Sequence, residues 1–262
     1  MISRLRQKQI AQLIASGKRL DGRGLTDYRP IQIESGIIEK AEGSARVRLG
    51  KTEVMVGVKI GFGEPFPDRP NEGVLTVNSE FVPLASPEFE AGPPSEESVE
   101  LARIVDRGIR ESKAIELEKL CLIPGKKVFV IFIDIYVLNH DGNLIDASAI
   151  ASLVALMNSK VPKFELKDDG EVVKKPGFEP LPIRNYPIAV TFADISGKLV
   201  VDPWLDEEEV LNARLTMSFD RDGRLCAIQK GGSGMLTPQQ VIEASIIGRE
   251  KAEELRKLVV KS

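Results

Sequence analysis

The sequence predicts an α+β protein with mixed sheets and packed helices, and three observations carry that prediction. Strand-like apolar runs precede a helical pattern in each half of the chain. Residues 128–138, VFVIFIDIYVL, are nearly all apolar and β-rich, as expected of a central strand buried on both faces. In residues 95–115 the apolar side chains recur at helical spacing instead. A chain of 262 residues can bury one large core or two small, packed subdomains. We expect a single domain over 1–262: an N-terminal helix in 1–20, a first half to about 120 and a second half from about 121. No internal repeat or low-complexity linker is visible.

Each element has its own signal. Ile10, Leu13 and Ile14 make the basic N-terminus an amphipathic helix lying on the body, rather than a cleaved leader. Residues 31–38, 44–49 and 53–60 are strand candidates, with Gly50-Lys51-Thr52 as a turn and Val54, Val56, Val58 and Ile60 alternating. Gly- and Pro-rich residues 61–71 are expected as loop, 73–84 as strand and 86–95 as loop again. Ser95 caps the following helix. Its apolar face holds Leu101, Ile104, Val105, Gly108, Ser112 and Ile115, opposite Arg103, Arg107 and Arg110. Asp134 interrupts the central strand and is expected to be a hydrogen-bonded buried carboxylate.

The second half begins with a helix over 146–158 and a polar excursion over 160–185. Strands follow at 187–195 and 198–201. Leu211, Ala213, Leu215, Met217 and Phe219 alternate, and Arg221-Asp222-Gly223 turns them into residues 225–230. A helix opening at Thr237, with Pro238 in its first turn, closes the chain.

Composition bounds the function. A hydrophobic share of 42% with 29% charged residues is globular. The net charge of −3 excludes a polycation, so nucleic-acid binding has to be local or shared with partners. Cys121 and Cys226 stand apart in apolar contexts and are expected to be reduced core residues of a cytoplasmic protein. A single histidine, His140, argues against a His-rich metal site or a His-dependent triad; it is expected as a loop residue without a ligand role. No apolar run is long enough for a membrane span.

Four stretches carry possible chemistry. From His140 to Leu156 a glycine turn opens an apolar helix, a natural anion site, yet the stretch has no Lys or Arg and its tip carries Asp141 and Asp146. Asp202, Asp206, Glu207, Glu208 and Glu209 crowd a strand end; they could hold Mg²⁺, but composition alone reads as a solvated acidic loop. The Arg103/Arg107/Arg110 stripe could meet phosphates, or pair with Glu100, Asp106 and Glu111 on the helix itself. Lys230 to Gly234 lacks the Gly-Lys-Ser/Thr ending of a phosphate loop and reads as a connection.

Several segments in order resemble the RNase PH superfamily. They are Arg19-Leu20-Asp21-Gly22-Arg23 with Tyr28-Arg29-Pro30, Gly43-Ser44-Ala45 with Gly50-Lys51-Thr52, Asp141-Gly142, and Val201-Asp202 with its acids. The resemblance implies an RNase PH-like fold of two β-α-β-α halves. Phe89-Glu90-Ala91-Gly92-Pro93-Pro94, Asn185-Tyr186-Pro187, Asp206-Glu207-Glu208 and Ile228-Gln229-Lys230 look like the non-catalytic, archaeal exosome branch. That branch implies a ring of three heterodimers with a catalytic RNase PH-type sister subunit, RNA-binding cap subunits and single-stranded RNA as partners. We expect no cofactor and no metal on this chain.

The departures from the active pattern are specific. Active members carry a Gly-Thr/Ser-Arg phosphate grip where this chain has Gly142-Asn143-Leu144-Ile145, and two aspartates where it has Asp202 and Glu208. They are basic where it has Glu88 and Glu90. Phosphorolysis needs phosphate held beside an anionic scissile bond, so a missing cation is a severe defect. We therefore expect no catalytic residue, with Asp202 and Glu208 vestigial, in a non-catalytic subunit of a 3′→5′ phosphorolytic RNA-degrading complex. The resemblance also implies RNA contact by Arg103, Arg107 and Arg110. The alternative is an autonomous phosphate-dependent exoribonuclease using Asp202 and Glu208.

Overall fold

The computed structural model describes residues 2–166 and 172–260. Helix α1 (Arg4–Ala15) buries Ile10 and Ile14. The first sheet comprises β1 (Ile31–Ser35), β2 (Gly43–Leu49), β3 (Thr52–Gly63), β4 (Val74–Phe81), β5 (Cys121–Ile123) and β6 (Lys127–Asn139). Its order is β1-β2-β3-β6-β4, with β5 on β6; only β4 runs parallel to its neighbour. The β4–β6 crossover is helix α2 (Glu96–Glu111), capped by Ser95. Helix α3 (Leu144–Met157) leads to β7 (Lys160–Leu166) and β8 (Val172–Pro180), which pair as a hairpin. The second sheet is β9 (Ile188–Ile195), β10 (Lys198–Val201), β11 (Ala213–Phe219) and β12 (Leu225–Gly231), in the antiparallel order β10-β9-β11-β12. A single turn, α4 (Leu205–Glu208), and the long α5 (Pro238–Val259) complete it.

Helix α3 explains how the halves join. It is apolar all round, and such a helix is stable only when surrounded. It packs on β2 and β3 of the first sheet, on β9 of the second, and on α2. One cluster of buried side chains runs from Val47 and Ile133 through Ile150 and Leu153 to Phe192 and Met217. The approach to β2 is so close that a Cβ on Gly43 would lie 2.3 Å from the Ala155 carbonyl oxygen. A smaller cluster holds α1 against Ala193, Ile195 and Val200.

The structure corrects several expectations. The central strand β6 is buried on both faces only at its start, where Val128 and Val130 are covered; farther along, Phe132 and Tyr136 are 38% and 41% exposed on that same face. Asp134 lies on that open face, half-buried, and accepts a hydrogen bond from Asn78 at 3.3 Å. Residues 61–63 continue β3 because they pair with Val130, Phe129 and Val128 of β6; the glycines are tolerated in the ladder. The polar excursion after α3 is the β7–β8 hairpin, apart from residues 167–171, which lie outside the described residues. Its first strand anchors through Phe164, whose ring meets Phe62 and Phe129 at 4.9 and 5.6 Å. Cys121 and Cys226 are free but half-buried, at strand positions rather than in the core.

Candidate functional site

Three segments distant in sequence converge at the start of α3. Gly142 and Asn143 turn the chain through left-handed conformations, φ +82° and +49°. A Cβ on Gly142 would lie 2.5 Å from the Leu205 nitrogen, so the turn and α4 touch through bare backbone. Asn143 then caps the helix and binds three carboxylates. Its Nδ2 donates to Asp146 Oδ2 at 2.9 Å and Asp202 Oδ1 at 2.8 Å, and its backbone N–H donates to Glu208 Oε1 at 2.9 Å. A helix N-terminus is an anion site by its dipole and free N–H groups. Here the chain fills that site with its own acids.

Asp202 is fully buried and lies in a left-handed conformation, φ +50°. Arg29 donates to it from Nε (2.9 Å), Nη2 (2.7 Å) and the backbone N–H (2.9 Å), and Arg23 Nη1 adds another bond at 2.9 Å. Burial opposes ionisation, but the Arg29 bonds and charge outweigh it and hold the Asp202 carboxyl below the usual range. Arg29 also donates to the carbonyls of Asp141 and Gly142, at 2.6 and 3.3 Å. Beside it, Arg19 and Glu207 form a fully buried pair at 2.9 and 2.5 Å.

The other two acids at the turn behave differently. Asp146 is buried under bonds from Tyr28 (2.7 Å) and Thr191 (2.7 and 3.1 Å). It has no ion pair among the described residues, and burial pushes its carboxyl up to about 6. Glu208 has one half-buried edge on an open cleft, and burial of the rest pushes it up to about 7 against the Asn143 N–H and Arg214.

That cleft, about 950 Å³, lies between β4, residues 88–95, the first turns of α2 and the start of α3. Phe81, Phe89, Pro93, Pro94, Leu144 and Ile145 give it apolar walls. Its carboxylates are Glu80, Glu88, Glu90, Glu97, Glu100, Asp134 and Glu208; among the described residues its only Lys or Arg is Arg214, itself paired with Glu100 at 2.6 Å. His140 stacks on Phe89 with ring centroids 5.4 Å apart, and burial lowers its pKa, which favours the neutral ring. Among the described residues no group of three or more His, Cys, Asp and Glu is placed to hold a metal ion. Among the described residues a phosphate entering here would meet seven carboxylates and a single, already paired arginine.

The pattern for the 3′ exoribonuclease (RNase PH) family, domain 1, matches residues 27–162, and that for domain 2 matches residues 185–251. The chain belongs to this family. Its RNase PH framework is shared with "Exosome complex component Rrp42" of Pyrococcus horikoshii, 54% identical over 100% of this chain and 96% of that one. The protein of the same name from Thermococcus gammatolerans is 53% identical over 97% and 93%. Among solved structures, a chain of the "archaeoglobus fulgidus exosome with RNA bound to the active site" superposes with TM-score 0.88 at 46% identity, covering 97% of each chain. A chain of an "Archaeal exosome core" gives 0.84 at 42%, covering 97% and 96%.

On the RNase PH framework the expected site residues divide. Asp202 and Glu208 do come together, through Asn143, but the acidic run is not a solvated loop: Asp202 and Glu207 are buried in ion pairs. Asp146 does not sit at the tip of the turn; it points inward beneath Tyr28. In the arginine stripe, Arg103 is exposed and has no partner among the described residues. Arg107 is exposed and bonds Gln229 at 3.1 Å. Arg110 is half-buried instead, held by Asp106 at 2.7 and 3.1 Å and by the Leu75 carbonyl at 3.1 Å.

Sequence reasoning missed the roles of Arg29, Asn143 and the Arg19–Glu207 pair. Arg19 and Arg29 carried a family resemblance but no sign of their acids, which lie 188 and 173 residues away. Gly142-Asn143 did carry a signal, since this dipeptide favours left-handed turns. Among the described residues no helix is long and apolar enough to cross a membrane.

Proposed function

We propose that this chain is a non-catalytic subunit of an exosome, a 3′→5′ phosphorolytic RNA-degrading complex. One observation carries the inactive reading: the N-terminus of α3 is filled by Asp146, Asp202 and Glu208, and the adjoining cleft has one already paired arginine among seven carboxylates. Among the described residues the arginines nearest this site, Arg29 and Arg214, are already paired with acids, which leaves no free cation for phosphate. Full-length identity with proteins named as exosome components supports the assembly.

In this reading the chain acts as a single RNase PH-like unit in the cytoplasm, in a ring of three heterodimers with a catalytic sister subunit and beneath RNA-binding caps. It orders the sister's active site across the interface. Arg103 and Arg107 then guide single-stranded RNA as exposed cations on a rigid helix, while Arg110 positions α2 against β4.

The test is phosphorolysis of a 5′-labelled single-stranded RNA with inorganic phosphate and Mg²⁺. The chain alone is expected to be silent, and its mixture with the sister subunit more active than the sister by itself. Shortening of the RNA by this chain alone would establish the autonomous enzyme instead.

A further inference from the structure

We propose that the acidic cleft receives an extended lysine- or arginine-rich segment of a partner protein, added as a strand to the open edge of β4. This goes beyond the co-subunit reading and does not depend on it. Strand β4 is the edge of its sheet and pairs with β6 alone among the described strands. The first half of its outer edge is already covered: the Gly73 N–H donates to the Leu117 carbonyl at 2.8 Å, and the Leu75 carbonyl accepts from Arg110 at 3.1 Å. Period-two alternation puts the backbone groups of Ser79 and Phe81 on that same outer edge. Among the described residues no loop or helix backbone bonds to them. Ser79 and Phe81 line the cleft. An uncovered edge beside a groove is the geometry of strand addition, in which main-chain bonds give affinity and side-chain pockets give selectivity.

The walls select the occupant. Carboxylates from β4 (Glu80), the following loop (Glu90) and α2 (Glu97) surround the groove, and Asp134 lies on β6 beneath it. They do not converge on one point as metal ligands would. Charges spread along a groove match a chain with cations at intervals, and Phe81 and Phe89 offer contact to its apolar side chains. A polyamine would leave most of the roughly 950 Å³ unfilled and make no bond to the β4 backbone. The sign of the charge in the cleft opposes single-stranded RNA.

The experiment titrates the full-length chain into a fluorescent peptide of about eight residues, the usual strand length, alternating lysine and valine. A glutamate–valine peptide is the control. The lysine peptide is expected to bind about tenfold or more tightly than the control, and Glu80→Lys with Glu90→Lys to remove about tenfold of that affinity. Arg249→Glu on α5, away from the cleft, is expected to leave it unchanged. Hydrogen exchange at the Ser79 and Phe81 amides slows on binding if the peptide adds as a strand.

Equal affinity for both peptides, or no binding, overturns the proposal. So does unchanged exchange at β4 with complete displacement by spermidine, which would make this a polyamine site, or tighter binding of an oligonucleotide to the same cleft. Any of these leaves the co-subunit reading standing, because phosphorolysis of the mixture reads that separately.

Discussion

Arg29 grips Asp202 through two parallel hydrogen bonds, Nε to Oδ2 at 2.9 Å and Nη2 to Oδ1 at 2.7 Å, with both side chains buried. The pair joins the approach to β1 of the first sheet to the end of β10 in the second. With Arg23 and Asn143 also bonded to it, the Asp202 carboxylate ties these segments together.

Removing that carboxylate leaves Arg29 buried without its partner. Asp202→Ala is expected to lower unfolding free energy at pH 7 by about 3–5 kcal/mol, measured by urea titration. Because Arg29 holds the carboxyl below its ordinary value, the stabilisation is complete above about pH 4 and is lost as pH falls through the lower folded value. The gap between wild type and variant should therefore narrow below about pH 4. A constant gap down to pH 2 would show that packing, not charge, sets the loss.

Glu208 has the opposite sign. Its folded value of about 7 exceeds the ordinary value, so the folded state binds the extra proton and stability falls as pH rises from about 4 to about 7. Glu208→Gln keeps an acceptor for the Asn143 N–H without the buried charge. It is expected to gain about 1–2 kcal/mol at pH 8, less than the full shift implies because one edge faces water. At pH 4 the gain should vanish. A gain equal at both pH values would rule out the titration.

The arginine stripe predicts a split outcome. In the assembled complex, Arg103→Glu and Arg107→Glu should each flatten the dependence of log affinity on log salt by about 0.7. Arg110→Ala should leave that slope unchanged and cost about 1 kcal/mol of stability, through its lost bonds to Asp106 and Leu75. Equal slopes for all four proteins would assign the stripe to the solvated helix face.

Gly142→Ala is expected to destabilise the chain by about 3 kcal/mol or more. The new methyl would need a left-handed backbone and would strike Leu205 and Trp204 main-chain atoms, which cannot swing aside. Thermal melting is the direct measure; a melting point within a degree of wild type would show that α4 shifts freely.

Much of the fold was legible in local pattern. Ser95 caps α2 and the Pro238 helix starts after Thr237, as their side chains dictate. The alternating valines of β3 lie inward at Val54, Val56 and Val58. The missed β7–β8 hairpin shows the limit, because a polar strand has little period-two signal until a neighbour such as Phe62 receives its aromatic side chain.

The site was legible only as an absence. No Lys or Arg follows Gly142 before Leu156, and that absence was the main sequence argument against a phosphate grip. The run from Asp202 to Glu209 looked uniform, yet the fold gave its acids different fates: Asp202 and Glu207 are buried against arginines, Asp206 pairs with Arg6, and Glu208 faces the cleft.

The sequence by itself determined the class, the helix caps, the strand alternation and the missing cation, all of which depend on neighbours within a turn or two. Only the tertiary structure decided which acids are buried against arginines, which arginines are exposed and where β4 is left open. Those properties arise from burial and from charges brought together across more than a hundred residues, and the energy of a charge depends on what surrounds it.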